Sequence, residues 1–101
     1  ACAADYKQIK IATEGAYPPW NYVDQSGKLV GFEIELAKDL CRRMNVTCEI
    51  VPRKWRGIIK GLNAGKYDAI MAGMSITEDR KKSVSFSRNR PFWYSRYRIW
   101  L

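Results

Sequence analysis

Phe32-Glu33-Ile34-Glu35-Leu36-Ala37-Lys38-Asp39-Leu40-Cys41-Arg42-Arg43-Met44, followed by Asn45-Val46 and then Thr47-Cys48-Glu49-Ile50-Val51, is the stretch on which the fold turns. Phe32, Leu36, Ala37, Leu40, Cys41 and Met44 recur at the spacing of one helical face, which predicts a helix over 32–44. Glu33 and Glu35 near its start, with Arg42 and Arg43 near its end, suit the helix dipole. Asn45 tolerates the left-handed conformation that closes many helices, and residues 47–51 have the β-branched character of a strand. Upstream, residues 8–13 alternate and are rich in β-branched side chains, so they read as a partner strand. Strand, helix and strand make one βαβ unit, right-handed by the usual chirality of such crossovers.

Further out the pattern repeats. Pro18 and Pro19 lack an amide donor, so 15–20 reads as a loop, and Asp24-Gln25-Ser26-Gly27 is a turn between two short strands of a hairpin. Ile58, Ile59 and Leu62 form a short helical stripe ended by Gly65, and 67–71 reads as a buried strand before a bend at Gly73, giving a second βαβ unit. Thr77 is a candidate N-cap for a short polar helix, and 83–86 reads as a brief strand.

The 101 residues suffice for one small α/β domain, and no apolar run approaches the ~20 residues of a membrane-spanning helix. Lysine and arginine number 18 against 10 acids, a net charge of +8. Most of the excess lies in Arg53, Lys54, Arg56 and Lys60 and in Arg88, Arg90, Arg96 and Arg98, so the charge is local. Cys41 and Cys48, six residues apart, can be bridged in an oxidising compartment; two buried thiols are the alternative. Cys2 is then the odd thiol, either a flexible terminal cysteine or a lipidation or cross-linking site. Ala1-Cys2-Ala3 would fit the small-residue end of a signal peptide already removed.

There is no histidine, and no CxxC, HExxH, GxxxxGK or GxSxG motif, so no catalytic residue, metal site or cofactor is expected. Open α/β sheets bind ligands beyond the carboxyl ends of their strands. Glu14 and Tyr17 fall there after the first strand, Trp55 after the second, and Ala72, Gly73, Ser75 and Arg80 after the third. Gly73 permits close backbone approach, Ser75 offers a hydroxyl and an amide, and Arg80 offers a planar fork suited to a carboxylate. Each also has a plainer reading: Ser75 as a helix cap, Arg80 as a solvated helix residue, Gly73 as a turn, the aromatics as packing.

The strings Ala12-Thr13-Glu14-Gly15-Ala16-Tyr17-Pro18-Pro19-Trp20-Asn21, Gly31-Phe32-Glu33-Ile34-Glu35-Leu36-Ala37 and Tyr67-Asp68-Ala69-Ile70-Met71-Ala72-Gly73-Met74-Ser75-Ile76-Thr77, with Arg80, resemble the type II periplasmic amino-acid-binding proteins. Within that family the chain is most similar to binders of lysine, arginine, ornithine or histidine and to the nopaline and octopine branch. The resemblance implies a single lobe of three αβα layers with a mostly parallel sheet, a periplasmic location, no enzymatic activity, and an ABC transporter permease as partner. It implies a Cys41–Cys48 disulfide as well. By the same resemblance Tyr17 and Trp55 stack on the ligand side chain, Glu14 pairs with its cationic end, Ser75 and the region of Ala72 and Gly73 bind its α groups, and Arg80 holds the α-carboxylate. Arg56 and Lys60 depart from the family, standing where relatives carry an acid and a proline.

Residues 1–88 are thus expected to form lobe 1, and 89–101, an Arg and aromatic tail, to stand in place of the hinge and lobe 2. The implied function is a truncated basic amino-acid or opine binder with weakened or lost affinity. The alternative is an interaction or self-assembling module that uses its tail, and nucleic-acid binding by that tail is the lesser reading.

Overall fold

The computed structural model describes residues 7–87, so the expectations for Cys2 and for the 89–101 tail lie outside the described residues. Strand β1 (Gln8–Thr13) pairs in parallel with β5 (Thr47–Pro52) along its whole length, Gln8 opposite Thr47 and Thr13 opposite Pro52. On its other side β1 pairs in parallel with β6 (Ala69–Ile70), giving the order β5-β1-β6. Between β1 and the first helix runs a second, antiparallel sheet of β2 (Ala16–Tyr17), β3 (Asn21–Val23) and β4 (Leu29–Val30).

Alternation along the strands puts helices on both faces. Ile9 and Ile11 of β1, with Cys48 and Ile50 of β5, pack with Ala37 and Cys41 of α1 (Phe32–Met44). Ala12, Val51 and Ile70 turn to the opposite face and pack with Ile58 and Leu62 of α2 (Ile58–Asn63). The mostly parallel sheet is therefore covered on both sides, the doubly wound α/β arrangement. Cys41 and Cys48 are joined by a disulfide that ties α1 to β5. Buried Tyr67 donates its hydroxyl to Ile58 O, and a Cβ at Gly61 would collide with that hydroxyl, so glycine is required there.

α1 is capped by its neighbour's backbone, not by a side chain. Pro19 O accepts from Phe32 N at 3.1 Å and Trp20 O accepts from Glu33 N at 2.9 Å, which satisfies amides that a helix start leaves without intrahelical partners. Gly31, at φ +128°, makes this possible, since a Cβ there would strike the Trp20 carbonyl. At the other end Asn45 adopts φ 57° and ψ 44°, the left-handed cap its residue type allows.

Four expectations change. Residues 15–20 are not all loop, because Ala16 and Tyr17 pair with Tyr22 and Asn21. The buried stripe of α1 is rotated: Glu33, Ile34, Ala37 and Cys41 are buried, whereas Phe32, Leu40 and Met44 are 44, 40 and 50% exposed. β6 covers Ala69–Ile70 rather than 67–71, because Tyr67 turns into the core beneath α2 and Asp68 bonds back to β1 through Lys10. Residues 83–86 form no strand: Ser83 and Val84 amides bond to Arg80 O, and a cavity of about 330 Å³ separates residues 84–87 from the β6 edge.

Candidate functional site

Loops leave the carboxyl ends of β1, β5 and β6 side by side because the three strands are parallel. They surround an open hollow of about 310 Å³ lined by Glu14, Tyr17, Trp55, Ala72, Gly73, Ser75 and Arg80. The seven residues singled out in the sequence thus share one surface.

Arg80 sits in α3 (Glu78–Lys81), whose start is capped by Thr77: its Oγ1 accepts from Arg80 N at 3.1 Å. The side chain is held twice more. Its Nη1 donates to Ser75 O at 3.0 Å, and the guanidinium carbon lies 5.4 Å from the centre of the Trp55 ring, a cation–π arrangement. Arginine has five N–H donors, so the fork keeps donors for an anion after these restraints. Trp55 consequently offers a ligand less than a free ring would, since one face meets Arg80.

Gly73 has φ +63°, and a Cβ there would lie 3.1 Å from the Tyr17 ring. Its absence lets ring and backbone close together. The Gly73 amide, however, donates to Glu33 Oε2 at 2.8 Å, so this N–H faces the interior and is engaged before any ligand arrives. Glu33 Oε1 accepts from Asn21 Nδ2 at 2.8 Å, and Asn21 Oδ1 accepts from Gly15 N at 2.7 Å. One buried relay therefore fastens the loop after β1 to the loop after β6. Glu33 is only 2% exposed; burial pushes its carboxyl above the ordinary range, while the Asn21 and Gly73 bonds pull in the other direction.

Neither Glu33 nor Asn21 was singled out. Glu33 reads as a first-turn acid suited to the helix dipole and Asn21 as a hairpin residue. A signal existed: Glu33 precedes Ile34, and Ile34, Ala37 and Cys41 at spacings of three and four mark the face that is buried.

Beyond Trp55 and Arg80, a second hollow of about 620 Å³ is lined also by Arg56, Lys60, Ile59 and Met74. A third, of about 460 Å³, continues past Arg56 and Lys60 to Arg53, Lys54 and Lys66. No acid lines either one. Among the described residues no cluster of His, Cys, Asp and Glu could hold a metal, and no helix is long and apolar enough to cross a membrane.

A doubly wound lobe that presents an acid, two aromatic rings and an arginine fork around an open hollow defines a small-molecule binding lobe. The description "Bacterial extracellular solute-binding proteins, family 3" matches residues 9–99, and the chain belongs to this family. That match takes in most of the 89–101 stretch. The chain is 60% identical over 85 residues to the octopine-binding periplasmic protein of Rhizobium meliloti, covering 84% of this chain and 29% of that one. It is 42% identical over 87 residues to the histidine-binding periplasmic protein of Salmonella typhimurium, covering 86% and 34%. Among solved structures, the arginine-bound form of domain 1 from TmArgBP, in a Phe-to-Trp mutant, superposes with a TM-score of 0.78. It is 40% identical, and the alignment covers 86% of this chain and 66% of that one. The chain spans about a third of the length of the curated relatives it matches.

Proposed function

We propose that this lobe is the recognition half of a periplasmic receptor for a basic amino acid or an opine, delivering its ligand to an ABC importer. The carrying observation is the arginine fork of Arg80, restrained by Thr77, Ser75 and Trp55 at the rim of a hollow whose one lining acid is Glu14. In this reading Arg80 receives the α-carboxylate and Ser75 the α groups, Glu14 attracts the cationic side chain, and Tyr17 packs on its aliphatic stem. The names of the octopine- and histidine-binding relatives support the ligand class, and their designation as periplasmic supports the location.

The 101-residue chain by itself binds weakly in this reading, because the hollow is open, with Tyr17 47% and Trp55 37% exposed. Charges facing water interact at high dielectric, where a pair at 4 Å contributes only about 1 kcal/mol. The arginine-bound domain 1 of TmArgBP supports weak binding over none. Titration calorimetry with arginine, lysine, histidine and octopine tests the reading. We expect at least one to bind with micromolar to millimolar affinity and Arg80→Ala to weaken it at least tenfold. Absence of heat with all four, or an unchanged affinity in the variant, refutes the assignment.

A further inference from the structure

Exposed lysines and arginines are ordinarily solvated and mark no site. Arg56 and Lys60 differ in where they stand. They line a hollow that shares Trp55 and Arg80 with the ligand hollow, so the two form one track. No acid lines the extension, neither residue has an ion-pair partner among the described residues, and the only acid along the whole track is Glu14 at the far end. The track is thus polarised, with one carboxylate at one end, Arg80 in the middle and two further cations beyond. The Arg53, Lys54 and Lys66 hollow behind them adds positive potential of the same sign.

An amino acid with a cationic side chain satisfies Glu14 and Arg80 and leaves Arg56 and Lys60 without a counter-charge. A ligand whose α-nitrogen carries a second, carboxylate-bearing arm would reach past Arg80 by a few bonds. We infer that Arg56 and Lys60 form a subsite for this second carboxylate, so that the lobe selects N-carboxyalkyl derivatives of basic amino acids over the amino acids themselves. The inference rests on the binding role proposed above and names the ligand class within it. Ile59 and Met74 in the same hollow give an apolar floor for the carbons of the added arm.

The test compares arginine with octopine, its N2-carboxyethyl derivative, by calorimetry on the full chain in low salt, and repeats both titrations with Arg56→Gln/Lys60→Gln. Both residues are exposed, so the variant should keep the wild-type melting temperature. We expect octopine to bind about tenfold more tightly than arginine, about 1.4 kcal/mol. In the double variant that preference should shrink to about twofold, with arginine affinity changed by less than about twofold, the range an exposed charge usually commands. Arginine binding without preference for octopine overturns the subsite while leaving the proposed function intact. So does a preference that survives the double substitution, or an equal loss for both ligands. Failure of both ligands to bind overturns the proposed function and the subsite together.

Discussion

Glu33→Ala should destabilise the lobe far more than a surface acid would. The substitution removes the acceptor of two hydrogen bonds of 2.8 Å each and strands Asn21 Nδ2 and Gly73 N. A buried donor left without a partner costs about 1–3 kcal/mol, so the gross loss is about 2–6 kcal/mol. Freedom from burying a carboxylate offsets part of this, and we expect a net loss of about 3 kcal/mol. For a chain of this size each kcal/mol moves the melting temperature by roughly 4–8 °C, so thermal denaturation should shift by more than about 10 °C. Glu33→Gln is milder, since the amide oxygen can still accept one of the two donors. Its pH dependence is diagnostic. Burial raises the Glu33 carboxyl, so between its ordinary value and the raised one the folded state holds a proton that the unfolded chain has released. Stability from this group therefore grows as pH falls through that window and is lost as pH rises through the folded value. The glutamine variant lacks this term, so the wild-type advantage over it should widen as pH is lowered. A Glu33→Ala loss below about 1 kcal/mol, or a Glu33→Gln difference that narrows on acidification, would refute the relay as described. So would strict additivity of Glu33→Ala with Asn21→Ala, because bonded partners couple by at least about 0.5 kcal/mol.

Reduction of the Cys41–Cys48 disulfide opens a loop of eight residues and should cost about 2.5 kcal/mol on the chain-entropy account, read from urea denaturation with and without reductant. Gly73→Ala forces a Cβ to 3.1 Å from the Tyr17 ring at φ +63°, and should cost about 1–2 kcal/mol while lowering arginine affinity in calorimetry. An unchanged affinity would show that the Tyr17 and Gly73 contact is not part of the site. Thr77→Ala removes the cap on Arg80 N and should cost about 1 kcal/mol, with arginine affinity falling a few-fold because the fork is less well held. Equal arginine affinities in wild type and variant would show that Arg80 is positioned by Ser75 and Trp55 alone.

The fold was legible where one residue pattern had one physical outcome. Residues 8–13 alternate, 32–44 carry capping-compatible ends, and 47–51 are β-branched; the structure realises all three as β1, α1 and β5. Asn45 and Thr77 were readable as caps because the conformations they adopt follow from their side chains. What failed was readable only in three dimensions. The buried face of α1 was assigned to the larger apolar residues, but the sheet and the β2–β4 meander select the face with Ile34, Ala37 and Cys41, and leave Leu40 and Met44 outside. Apolar content alone does not say which side a neighbour will cover. Glu33 went unnoticed for the same reason: its importance comes from Asn21, twelve residues before it, and Gly73, forty after it, a juxtaposition no local window contains.

That juxtaposition bears on how the site works. The seven lining residues come from loops, which ordinarily fluctuate, yet the loop after β1 and the loop after β6 are tied through Asn21 and Glu33 by bonds that involve no ligand. Arg80 is likewise restrained by Thr77, Ser75 and Trp55 from within the lobe. Little ordering entropy then remains to oppose binding. The weak affinity expected of the 101-residue chain falls instead on exposure, because the same fork and the same acid act through water on an open face. Closure over a ligand would act by lowering the dielectric around contacts already in place, so added coverage should strengthen charged contacts more than apolar ones. A preformed half-site with a polarised track is therefore a reader of ligand charge, and the cations at 56 and 60 set which charges it reads.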